Sequence, residues 1–167
     1  METGIGYGTY KVFLDELLKA LNDVFREGVI LSFALFGSVA RGEARTDSDI
    51  DLLIVHKPID FDPYERLREA LHSKICNEEY QKLVNDGLTP EPYPIFMTEI
   101  DLYERPLILL DIQDHGIVVY DTGTLKRRFE SLRKRLIELG SKKVIMDDGK
   151  WYWVLKPDWK PGEVIEL

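Results

Sequence analysis

Two aspartates, Asp49 and Asp51, flank Ile50 at the head of the apolar run Leu52-Leu53-Ile54-Val55. Read as a strand, this run alternates its side chains between faces, so both carboxylates point the same way while Ile50 and Leu52 point the other. Like charges so placed raise each other's pKa, and a divalent cation removes that cost. Mg²⁺, or Mn²⁺ in its place, takes oxygen ligands, usually one or two carboxylates plus waters and substrate phosphates. Upstream, Gly37-Ser38 ends a second strand-like run, Val29 to Phe36, and a short helical segment, Val39 to Glu43, follows. A glycine turn between a strand and a helix start leaves backbone N–H groups free to cradle a phosphate. If the two runs are neighbouring strands, the stretch holds the parts needed to handle a nucleoside triphosphate with its metal. Ser38 adds a hydroxyl to the cradle. Arg41 either contacts a phosphate or pairs with Glu43 or Asp49. Gly42 meets a backbone requirement at a turn, and Ser48 caps or orients the loop that carries the aspartates.

Gly37-Ser38, ten intervening positions and then Asp49-Ile50-Asp51 resemble the signature of the DNA polymerase β-like nucleotidyltransferase superfamily. The fuller string, Gly37-Ser38-Val39-Ala40-Arg41-Gly42 with Ser48-Asp49-Ile50-Asp51, is most similar to the small minimal nucleotidyltransferases. The stretch spans about a sixth of the chain. The resemblance implies an α+β fold, a small mixed sheet with helices packed on it. It implies that Asp49 and Asp51 hold Mg²⁺ or Mn²⁺, and that Gly37, Ser38, Arg41 and Ser48 line the nucleotide. It also implies a third acid on a neighbouring strand, acting as general base or second metal ligand. The expected strand, Tyr93-Pro94-Ile95-Phe96-Met97, carries none. Glu91 just before it is the first candidate, ahead of Glu99 and Asp101 just after. This departure from the pattern keeps slow transfer, or a base supplied by a partner, among the readings.

The elements that must position these residues follow from periodicity. Val12, Phe13, Leu17, Leu21, Val24 and Phe25 recur at helical spacing, with Thr9 as a cap and Gly28 as a stop, after a mobile glycine-rich start over Met1 to Gly8. Beyond the two strands, Tyr64 to about Val84 reads as one long amphipathic helix with Leu67, Leu71, Ile75, Tyr80 and Leu83 or Val84 on one face. Cys76 sits in that pattern as a small buried side chain. Ile95 to Met97 reads as a strand. Thr98 and Asp101 cap a helix from Glu99 to about Gln113, and Gly116 to Tyr120 reads as another strand. A charged helix spans Thr124 to Leu139. Lys143 to Met146 and Trp151 to Leu155 form a β-hairpin around Asp148-Gly149, and residues 156–167 form an irregular strap. The expected organisation is a nucleotidyltransferase core over 1–122, with residues 123–167 packed on it in one domain overall. Trp151, Trp153 and Trp159 belong to that last segment, either as a small core or as a base-stacking lid or dimer interface.

The chain has 167 residues, 44% hydrophobic and 31% charged, a soluble globular composition. It has neither an eighteen-residue apolar run nor a signal-like start, and its single cysteine leaves no intrachain disulfide; together these point to the cytoplasm. The abundance of charge and scarcity of Asn and Gln hint at a thermophile. A net charge of −8 argues against tight nonspecific binding of nucleic acid. His56, His72 and His115 show no metal spacing.

Three functions are expected from these residues. The first is transfer of an NMP group from an NTP to an acceptor hydroxyl. The second, implied by the resemblance, is an antitoxin-like partner of a HEPN-type toxin, acting by binding or by AMP addition. The third is a nucleotide-binding module with weak turnover. A homodimer through the aromatic tail is the remaining partner expectation.

Overall fold

The computed structural model describes residues 4–74 and 77–167. Ile75 and Cys76, whose expected places are given above, lie outside the described residues, as do Met1 to Thr3. Two compact units divide the chain, residues 1–125 and 126–167.

The first unit is built on a four-stranded mixed sheet. Its strands are β1 (Ile30–Leu35), β2 (Ile50–His56), β3 (Pro92–Met97) and β4 (Ile117–Asp121), in the order β3-β2-β1-β4. β1 runs antiparallel to both β2 and β4, while β2 and β3 are parallel. All six residues of β1 are buried, as expected of a central strand covered on both faces. β3 carries Pro92 and Pro94, which a strand tolerates only at an edge, and an edge is where it lies.

Helix α1 (Tyr7–Phe25) places Tyr10, Phe13, Leu14, Leu17, Leu21 and Phe25 in one buried stripe. That stripe shares a core cluster with Phe33 and Leu35 of β1 and Ile50, Leu52 and Ile54 of β2. The helix begins two residues before Thr9, with Gly6 at its N-cap, so Thr9 lies inside it. Residues 4–8 are also more ordered than their glycines suggest. Ile5 forms a bridge to Ala44, and a Cβ on Gly4 would stand 2.2 Å from the Gly42 carbonyl oxygen.

Two long helices expected from the sequence are each broken. α3 (Pro63–Lys74) and α4 (Glu78–Asn85) replace the single helix. Asn77 starts α4: its Oδ1 accepts from the Tyr80 N–H at 2.8 Å, and its Nδ2 donates to Glu16 of α1 at 2.6 Å. A side chain that caps a new first turn competes with helix continuation. Similarly, α5 (Asp101–Glu104) and α6 (Pro106–His115) meet at Pro106, which lacks the N–H an uninterrupted helix needs. The expected Thr98–Asp101 cap is present, with Asp101 Oδ2 accepting from the Thr98 N–H and Oγ1 at 2.8 and 2.7 Å. These bonds hold the Asp101 carboxyl below its usual pKa. α2 (Gly37–Arg41) is the short helix between β1 and β2, and α6 packs against it.

In the second unit, the helix α7 (Thr124–Glu138), which begins at the end of the first, leads to the antiparallel pair β5 (Lys142–Ile145) and β6 (Trp151–Val154). Gly149 takes φ 82° in the turn, the role expected of it. The Lys143 ammonium lies 4.5 Å from the centre of a Trp151 ring. In the strap, the Trp159 indole N–H donates to the Glu163 carbonyl, and Arg128 and Arg135 donate to the Leu167 and Glu166 carbonyls. The fold is α+β, and the expected hairpin is there. Among the described residues no helix is long and apolar enough to cross a membrane.

Candidate active site

The antiparallel pairing of β1 with β2 brings the two halves of the sequence motif together. Leu35 pairs with Leu52, and the Phe36 N–H then donates to the Asp51 carbonyl at 2.9 Å, closing the ladder at the foot of the Gly37 turn. Gly37 has φ 69°, a left-handed conformation that a side chain makes costly. It also faces Asp51 directly: a Cβ built there would lie 2.0 Å from Asp51 Oδ2. The glycine is required twice over, by its backbone angle and by the carboxylate resting on it.

The far end of α2 is closed by Gly42 in a left-handed cap, with the Glu43 N–H donating to the Ser38 carbonyl at 2.9 Å. Ser48 Oγ accepts from the Arg45 N–H at 2.9 Å, so Ser48 shapes the loop that delivers the aspartates. Asp49 is exposed just before β2 begins, and Asp51 is half-buried within it. Burial pushes the Asp51 carboxyl above the usual carboxylate range. The negative charges of Asp49 and Asp111 push the same way, and the Arg41 guanidinium opposes them.

Arg41 Nε donates to Glu43 Oε2 at 2.9 Å, and Nη1 stands 3.8 Å from Asp111 Oδ2. The pairing with Glu43 is one of the alternatives open from sequence. Asp111, on α6, is a nearby acid that sequence reasoning did not single out. Its signal was a lone carboxylate in the apolar helical run Leu107-Ile108-Leu109-Leu110-Asp111-Ile112. Its Oδ1 is buried and, among the described residues, has no hydrogen-bond partner.

Glu91 is exposed just before β3, where its carbonyl accepts from the Ile50 N–H at 2.9 Å. The β2–β3 register begins with Ile50 opposite Pro92, so Glu91 comes level with Asp49 one step outside it. Glu91 also lines a cavity of about 210 Å³ with Leu71 and Tyr80. Glu99 accepts from Thr124 Oγ1 at 3.4 Å, and Asp101 is occupied by its cap. Opposite Asp51 on β3 stands Tyr93.

The donor set suits a hard cation. Two carboxylates share one mouth, one of them held above its usual pKa by burial and like charge, a cost that a bound cation would relieve. Among the described residues no three acid, His or Cys side chains form a closed cage. An ion here would take its remaining ligands from water and phosphate, as Mg²⁺ commonly does.

Comparison with known proteins bears on this arrangement. The family model "Nucleotidyltransferase domain" matches residues 14–119. No curated protein sequence matches the chain. Among solved structures, one described as a toxin–antitoxin with AMP-PNP is similar at 14% identity and a TM-score of 0.46, over 75% of this chain and 91% of that one. A mutant of the toxin–antitoxin MntA-HpeT is similar at 14% identity and a TM-score of 0.44, over the same shares. The family match takes in β1, the glycine turn, the aspartate pair, β3 and α6, more than half of the sequence, and by it the chain belongs to the nucleotidyltransferase domain family.

Proposed function

We propose that the protein transfers an NMP group from a nucleoside triphosphate, such as ATP, to an acceptor hydroxyl. The observation that carries this reading is the contact between the Gly37 turn and Asp51, with Asp49 beside it. It supports a reading in which backbone donors and paired carboxylates act on one substrate. Gly37 and Ser38 cradle the triphosphate through N–H groups and the Ser38 hydroxyl. Ser48 fixes the loop from which Asp49 reaches in. Arg41, loosely held by Asp111 and bonded to Glu43, lies where it can exchange a carboxylate for a phosphate oxygen.

Asp49 and Asp51 would hold Mg²⁺ or Mn²⁺, which when bound supplies positive charge against the phosphate oxygens. In the reaction the acceptor oxygen bonds to the α-phosphorus. The bond from that phosphorus to the bridging oxygen breaks, and pyrophosphate leaves with the electron pair. The hydroxyl proton passes to a carboxylate at the mouth, for which Glu91 is the candidate from sequence and Asp111 the candidate from structure. The motif's resemblance makes a hydroxyl on a HEPN-type partner protein one acceptor of this class. Turnover in the cytoplasm, where ATP and Mg²⁺ are abundant, fits the chemistry.

Titration calorimetry with ATP and Mg²⁺ tests the reading. The wild type is expected to bind, and the double variant Asp49→Ala plus Asp51→Ala to lose at least about tenfold in affinity, the effect of about 1.4 kcal/mol. Equal binding by the two proteins would overturn it.

A further inference from the structure

Tyr93 is the residue this site has not yet used. It pairs with Asp51 across the parallel β2–β3 register, and paired residues on adjacent strands stand about 4.8 Å apart with side chains on the same face. It is 65% exposed, and its neighbours Pro92 and Pro94 are both buried. The prolines fix the backbone on either side. The Cα–Cβ direction at Tyr93 is therefore well set, and the side chain stays open to solvent. Among the described residues its hydroxyl has no hydrogen-bond partner.

The direction of the reaction gives that place a meaning. In a phosphoryl displacement the attacking and leaving oxygens lie roughly in line. On the proposed reading, pyrophosphate departs toward Gly37-Ser38, on the β1 side of β2. The attacking hydroxyl then arrives from the opposite side of the α-phosphorus. On that side of β2 the next strand is β3, and the side chain beside Asp51 is Tyr93. We propose that Tyr93 forms the acceptor side of the site, an aromatic shelf that positions an uncharged or cationic hydroxyl-bearing molecule for attack. The surrounding charge bears on the acceptor's class: an ion at Asp49 and Asp51 offsets those two carboxylates, but Glu91 comes level with Asp49 beside them in a chain with net charge −8, which disfavours a polyanionic acceptor. This inference rests on the transfer reading above and adds which side the acceptor occupies.

The test uses the full chain, α-³²P-labelled ATP with Mg²⁺, and cell extract as the source of acceptor. Tyr93→Ala is expected to bind ATP as the wild type does in calorimetry and to lose about tenfold or more of label transfer, the effect of removing a stacking surface. Tyr93→Phe keeps the ring face and is expected to transfer within about twofold of the wild type. Weakened ATP binding by Tyr93→Ala would put the residue on the nucleotide side and overturn the proposal. Undiminished transfer by Tyr93→Ala would overturn it as well, as would label found only in nuclease-sensitive product. An absence of labelled product with the wild type removes the transfer reading itself, an outcome distinct from a failure at Tyr93 alone.

Discussion

Asp51 shows most directly how this chain trades stability for a site. Its carboxyl is partly buried, rests on the Gly37 backbone and feels two other acids, so its pKa in the folded state is raised. The folded protein then binds that proton more tightly than the unfolded chain does, and stability from this group falls as pH rises from the unfolded value toward the raised one. Asp51→Asn removes the cost of ionisation. It is expected to raise the melting temperature at pH 7 by a modest amount, on the order of 1–2 °C given that the group is partly solvated. The difference should vanish near pH 3, where the carboxyl is protonated in both states. Calorimetric melts at the two pH values check this; a variant less stable than wild type at pH 7 would count against it. The approach of Gly37 to Asp51 was legible because the whole motif lies on one strand–turn–strand stretch whose geometry is local. Asp111 was not, because it reaches the same place through the packing of α6 on α2, sixty positions downstream of Asp51, and no spacing rule reports that packing.

Among helices and strands, the breaks were the hard part. The apolar period over residues 64–84 continues through the junction of α3 and α4, so periodicity alone reads one helix. The contrary signal was Asn77, followed by Glu78 and Glu79 in the first turn of α4, where acids complement the helix dipole. Its weight comes from the bond to Glu16 on α1, a tertiary contact that a sequence window does not contain. Asn77→Ala removes both the cap and that bond and is expected to destabilise the fold by about 1–2 kcal/mol. Urea unfolding measures it; a loss under about 0.3 kcal/mol would mean the break has another cause. The strands were better marked, since β1 and β2 are short apolar runs bounded by glycine and by acids. β3 was found only in its second half, because Pro92 and Pro94 argue against a central strand and say nothing against an edge.

For the molecule as a whole, charge speaks more clearly than shape. The chain carries 22 basic against 30 acidic residues, and Asp49 and Asp111 both lie close enough to act on Asp51. Duplex DNA at about 0.15 M salt is expected to show no measurable retention by the protein at micromolar concentration in a mobility-shift assay, since nonspecific affinity comes from clustered Lys and Arg. A shift that weakens with added salt would contradict this and point to a local basic face. The class of fold was readable from the order of elements. The two units divide at 125/126, three residues beyond the boundary expected after residue 122, and α7 begins at the end of one unit and continues into the other.

The antiparallel coupling of β1 to β2 has a last consequence. On the proposed reading both halves of the donor machinery would be clasped within one contiguous segment, while β3 and α6 come from distant parts of the chain. Drift in those remote parts can re-dress the cleft for a new recipient and leave the clasp intact. A scaffold wired this way separates what is given from who receives it, so chemistry can be inherited unchanged while its clientele is rewritten.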